Sequence, residues 1–252
     1  MRQSFVWRNR PPSVNVIDRR RTGNGGKWGI GSLIALILCL LGISLPDDKP
    51  QQVVSPRSGF TEGERGRFAS VILRDTEDVW GDLFRQMGRT YKQPALVLFS
   101  REVRSPCGVA RSESGPFYCP ADGRLYLDLE FYQEMEADFG VDGEFARAYV
   151  IAHEVGHHVQ KLLGVRPDAG NSVQIELQAD FLAGVWAHHA QKRWRFLQEG
   201  DVDQALRLAA SIGDDALKNP RLTHGTSEQR VKWFRKGLQS GKLSDGKLSG
   251  IR

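Results

Sequence analysis

Apolar residues recur at helical spacing from Phe68 through Val71, Ile72, Val79, Leu83 and Phe84 to Met87. They mark one face of a long helix, opened by the capping box Thr61-Glu62-Gly63-Glu64. The period then changes. Ala95–Phe99 is a short, wholly apolar run, and residues 124–129 alternate polar and apolar positions, so both predict strands. A Gly/Ser-rich stretch holding Cys107 and Cys119 separates them. Residues 130–139 predict a short helix. Helical periodicity returns after Asp142, a candidate cap, and runs to about Leu163, where Gly164 stops it. Asn171 caps the next helix, which extends to about Glu199 before Gly200. Asp201-Val202-Asp203-Gln204 opens a third, ending near Ile212, and Thr226-Ser227-Glu228-Gln229 opens the last, through Phe234. The class is α+β: a helical majority with a small sheet, of which two or three strands are visible.

The flanks follow other patterns. Residues 29–45 form an uncharged, mostly apolar run of 17 residues, with Trp28 at its entrance and Pro46 at its exit. That is the short limit for a membrane-spanning helix; a buried core helix is the alternative, and it fits poorly because the run is apolar all round and charge is piled on one side only. Charge supports the span. Residues 1–27 carry seven basic residues (Arg2, Arg8, Arg10, Arg19, Arg20, Arg21, Lys27) against one acid, Asp18, and Asp47 and Asp48 follow the run. The positive-inside rule puts the amino terminus in the cytoplasm and residues 46–252 outside it. A cleaved signal peptide is the alternative, since Gly42-Ile43-Ser44 is small-x-small, but the run is long for one. The organisation expected is a disordered basic cytoplasmic arm (1–27), a transmembrane anchor (28–45), a Pro-containing linker (46–60), one folded domain (61–238) and a disordered Ser/Gly/Lys-rich tail (239–252). Beyond the span, 28 Lys and Arg balance 29 Asp and Glu, which argues against a nucleic-acid partner. Cys39 lies in the apolar run. Cys107 and Cys119 are then an even pair outside the cytoplasm, expected to form a disulfide rather than half of a zinc site.

The chemistry sits in His153-Glu154-Val155-Gly156-His157, an HExxH within a helical segment. Residues four apart share a helix face, so both imidazoles can reach one Zn²⁺, with Glu154 placed to take a proton from a water on the metal. Glu176-Leu177-Gln178-Ala179-Asp180 follows, its carboxylates one helical turn apart. Glu176 is the expected third ligand. Asp180 then supports a ligand histidine through its other ring nitrogen, and the reverse assignment stays open. His224, in a loop before a capped helix, is the candidate donor to the reaction's oxyanion. His158, His188 and His189 read as structural or surface residues, and Tyr149 as core.

Four stretches carry a resemblance: Ala152–Gln160 around the HExxH, Glu176–Trp186, Gly115–Asp122 and Thr223–Arg230. Together they resemble the bacterial putative neutral zinc metallopeptidase family, over nearly the whole chain. The arm, the glycines before the apolar run and Asp75–Trp80 are similar too. The resemblance implies a membrane-anchored, zincin-fold, gluzincin-like peptidase of the bacterial envelope, with His153, His157 and Glu176 as zinc ligands and Glu154 as catalytic base. Phe181 departs from it, standing where many members have a cysteine. The expected function is hydrolysis of peptide bonds in extracytoplasmic proteins, with a peptide or protein as partner and the membrane held through residues 28–45. A non-catalytic envelope adaptor or chaperone with a structural metal is the alternative, which Glu154 disfavours because a structural site has no use for it.

Overall fold

The computed structural model describes residues 7–20, 62–141, 143–166, 171–198, 200–214 and 224–247. The expected span at 28–45, the linker at 46–60, Thr61 and Asp142 lie outside these residues. Among the described residues, no helix is long and apolar enough to cross a membrane.

Among the described residues, six strands and six helices follow in chain order: β1 (Val16–Asp18), α1 (Glu62–Gln86), β2 (Ala95–Phe99), β3 (Glu102–Ser105), β4 (Gly108–Arg111), β5 (Phe117–Cys119), β6 (Arg124–Asp128), α2 (Phe131–Phe139), α3 (Glu144–Leu163), α4 (Ser172–Trp194), α5 (Asp201–Ser211) and α6 (Ser227–Ser240). The class is α+β, as expected, but the sheet is larger than the pattern revealed. Its order is β1-β2-β6-β5, and β3 and β4 pair separately as a hairpin. β1, β2 and β6 are parallel, while β5 runs antiparallel to β6 at the edge.

Alternation on β2 and β6 builds two cores. Leu96, Leu98, Leu125 and Leu127 face the helices. Val97, Phe99 and Tyr126 face Val103, Ala110 and Cys119 beneath the hairpin. Both faces are covered, which is why β2 reads as a continuous apolar run. The Cys107–Cys119 disulfide forms, joining the hairpin to the edge strand.

Two expectations about the chain's ends are corrected. Residues 7–20 are not a disordered arm. Trp7 is 1% exposed and packs edge-on against Phe68, and β1 pairs with β2. The described part of the tail is ordered as well: after α6 the chain turns at Gly241 into a short 3₁₀ turn, Leu243–Gly246. Gln178 donates to the Gly246 carbonyl there. Gly246 lies flat on Phe181, where a Cβ would stand 2.2 Å from the ring. The physical reason is the same at both ends. A few apolar or small residues in a charged segment dock on a core formed by distant parts of the chain, and local composition does not register that. Boundaries shift as well. The cap position of α3 is Gly143, not Asp142, and α4 ends at Trp194, with Arg195 left-handed beyond it.

Candidate metal centre

The site is made where α3 crosses α4. The crossing depends on Gly156, inside the HExxH. A Cβ there would lie 3.0 Å from the Ala179 carbonyl oxygen and 3.1 Å from its Cα. With only hydrogen at that position the two backbones approach closely, and Glu176 and Asp180, flanking Ala179 on α4, are carried to the histidines.

His153, His157 and Glu176 converge, each offering one ligand atom within 4.8 Å of the others. His153 Nε2 is 3.2 Å from Glu176 Oε2, and His157 Nε2 is 3.5 Å from Glu176 Oε1. Each ring's other nitrogen is engaged. His153 Nδ1 is 2.9 Å from Asp180 Oδ1, and His157 Nδ1 is 3.0 Å from Gln160 Oε1. Both acceptors favour protonated Nδ1, which leaves the Nε2 lone pairs turned towards one point with a carboxylate opposite. Two imidazoles and one carboxylate, with oriented outer nitrogens, form a donor set that fits Zn²⁺.

Asp180 lies behind this cluster, fully buried. It also accepts from the Tyr149 hydroxyl, and Arg230 donates to both of its oxygens at 2.9 and 3.0 Å. Burial alone would raise its pKa, but Arg230 and His153 outweigh burial and hold Asp180 below the usual carboxylate range. For Glu176, too, burial works upwards and is outweighed, here by His157 and His153, so its carboxylate is held low. His153 is lowered by burial and raised more strongly by Asp180 and Glu176, to about 10. Such a proton marks where a cation is electrostatically welcome.

Glu154 is partly buried beside the cluster. Burial raises its pKa, against the pull of His157, His153 and a hydrogen bond from the Tyr118 backbone. Tyr118 belongs to the edge strand β5, and its hydroxyl donates to His158 Nδ1 at 3.0 Å. His158 Nε2 is 2.6 Å from the Lys92 carbonyl, and the ring is buried, so His158 is structural. His188 and His189 bond the carbonyls of Leu238 and Gly241, away from the cluster.

The cluster opens into a cavity of about 830 Å³, lined by Phe117 and Tyr118 of β5, Val109 of the hairpin, Val150, Leu208 and Ile212. His224 lines it as well. Buried Asp214 holds that loop by accepting from the backbone N–H groups of His224 and Gly225, and its Oδ1 is 3.5 Å from His224 Nδ1. The capping box expected at the start of α6 forms, between Thr226 and Gln229.

The structure therefore brings together His153, Glu154, His157, Glu176, Asp180 and His224. Sequence reasoning missed Gln160, Asp214 and the engagement of Tyr149 and Arg230 with Asp180. Gln160 had a signal, three residues after His157 on the same helix face. The others come from chain segments whose approach only the fold sets.

A family profile described as putative neutral zinc metallopeptidase matches residues 5–247. The chain belongs to this family. It is 43% identical to the uncharacterized protein YpfJ of Escherichia coli (strain K12), over 93% of this chain and 95% of that protein. It is 39% identical to the uncharacterized protein Rv2575 of Mycobacterium tuberculosis (strain H37Rv), covering 72% of this chain and 71% of the relative. No solved structure matches it at a significant level.

Proposed function

We propose that the chain is a zinc-dependent peptidase that hydrolyses peptide bonds of proteins outside the cytoplasm. The observation that carries this is Glu154. A carboxylate that is not part of the ligand set stands beside the His153–His157–Glu176 cluster, at the wall of an open cavity. A structural metal site would need no such group.

His153, His157 and Glu176 would hold the Zn²⁺. When bound, it supplies a positive charge that polarises a water molecule and the substrate carbonyl. Glu154 takes the proton from the attacking water and returns it to the leaving amine. Its raised affinity for a proton, from burial, suits both transfers. His224, held by Asp214, is the donor offered to the carbonyl oxygen as charge develops there. Asp180 fixes the His153 ring through Nδ1, and Arg230 keeps Asp180 ionised. The β5 edge faces the cavity and offers an extended peptide a strand to pair with. The apolar walls around Val150, Leu208 and Ile212 suit polypeptides with exposed hydrophobic side chains. The Cys107–Cys119 bond supports an oxidising compartment for the domain.

The test is cleavage of an unfolded polypeptide by the zinc-loaded full chain. Glu154→Gln should lower kcat by roughly 10²–10⁴-fold, the contribution of a general base, with bound zinc unchanged. Equal cleavage by the variant would remove Glu154 from the chemistry. Absence of cleavage by either protein would favour the adaptor reading.

A further inference from the structure

Residues 7–20 are built into the metal domain at every level. β1 extends the sheet beside β2, with Ile17 opposite Val97. The backbone bonds run in both directions: Leu96 N–H to Asn15 O, Arg19 N–H to Leu98 O, and Ser13 N–H to Ser70 O. The Ser13 hydroxyl and the Asn15 amide both donate to Glu77 at 2.7 Å, the former fully buried. Arg10 pairs with buried Asp75 at 2.6 Å. The Trp7 indole donates to Glu144, the first residue of the HExxH helix. This segment thus braces the start of the helix that carries His153 and His157.

That arrangement constrains the chain's path relative to a membrane. The segment ends at Arg20, whose guanidinium lies against Gly66 near the start of α1. Arg20 and the start of α1 therefore lie close together. Between these points the sequence holds one run long and apolar enough for a single crossing, residues 29–45. A crossing needs about 17–25 predominantly apolar residues. Neither residues 21–28, with Arg21 and Lys27, nor residues 46–61, with Asp47, Asp48, Lys49 and Arg57, can supply a return. One crossing would leave residues 7–20 and 62–247 on opposite sides, and a three-stranded parallel ladder with buried polar contacts cannot form through a bilayer.

We infer that residues 7–20 and 62–247 lie on the same side of any membrane the chain meets. The positive-inside argument, which places the two parts in different compartments, gives way to the sheet. This inference stands apart from the peptidase reading, because it rests on β1 and its contacts rather than on the metal cluster.

Two exposed positions report on it: Val14, 90% exposed, and Met87, 40% exposed. Val14→Cys and Met87→Cys are introduced separately into the full chain carrying Cys39→Ser. Intact bacterial cells are treated with a membrane-impermeant maleimide, with lysed cells as the measure of full labelling. The two sites should label alike, both or neither. Labelling of one with protection of the other overturns the inference. Hydrogen exchange on the purified full chain gives the second reading. The amides of Ser13 and Arg19 should be protected by 10²-fold or more over a free peptide. Exchange at the free-peptide rate would show the segment undocked and overturn the inference by itself.

Discussion

At the scale of single residues, the site separates groups that would touch a metal from groups that aim them. Gln160 and Asp180 occupy the outer nitrogens of the two histidines, and Arg230 and Tyr149 in turn occupy Asp180. His224 has a different relation, lining the cavity and held by Asp214 rather than aiming a ligand. If it donates to the developing oxyanion, its contribution belongs to the transition state. His224→Ala should then lower kcat by about 10²-fold or more, with KM and zinc content nearly unchanged. Steady-state kinetics on a peptide substrate decide this. A near-normal kcat would reduce His224 to a wall of the cavity, and Arg230, committed to Asp180, would be a poor replacement.

Between elements, the decisive contact is the crossing of α3 and α4 at Gly156. A Val there would press its side chain on the Ala179 backbone and force the helices apart, moving Glu176 away from both Nε2 atoms. Gly156→Val should therefore weaken zinc binding by at least tenfold in a chelator competition; unchanged affinity would mean the crossing tolerates a larger separation than argued. The packing of α1 carries a pH signature of its own. Burial outweighs the attraction of Arg10 and raises the Asp75 carboxyl to about 7, against about 3.9 in an unfolded chain. Between those values the folded state holds a proton that the unfolded state has released. Stability from this group therefore falls as pH rises from about 4 to 7. Asp75→Asn should flatten that fall, seen as a smaller difference between urea midpoints at pH 5 and pH 7.5; an unchanged difference would assign the slope elsewhere. This level also explains what was legible in the sequence. HExxH and ExxxD could be read because two residues on one helical turn fix their own geometry. β2, β6 and the capped helices could be read because their periodicity is local. β1 could not: three residues in a segment dense with arginine acquire their partner, Leu96 to Leu98, across some 80 residues of sequence. β5 was masked by the glycines and cysteines around it, and Gly246 by its tail composition.

For the whole molecule, the consequence is a folded body that takes in Trp7 at one end and Gly246 at the other, both outside the 61–238 expected from composition. The HExxH helix α3 packs on α4, α5 and α1, and the amino-terminal segment is tied to its first residue through Trp7 and Glu144. The disulfide ties the hairpin, whose turn and second strand line the cavity, to β5. All of this serves a cluster whose claim to be a metal centre, with Glu154 as a neighbour rather than a ligand, is open to one direct measurement. Elemental analysis of the purified full chain should find one zinc per molecule in the unaltered protein and in Glu154→Gln, and little in His153→Ala or His157→Ala. Zinc retained by both histidine variants, or lost equally in Glu154→Gln, would contradict the assignment.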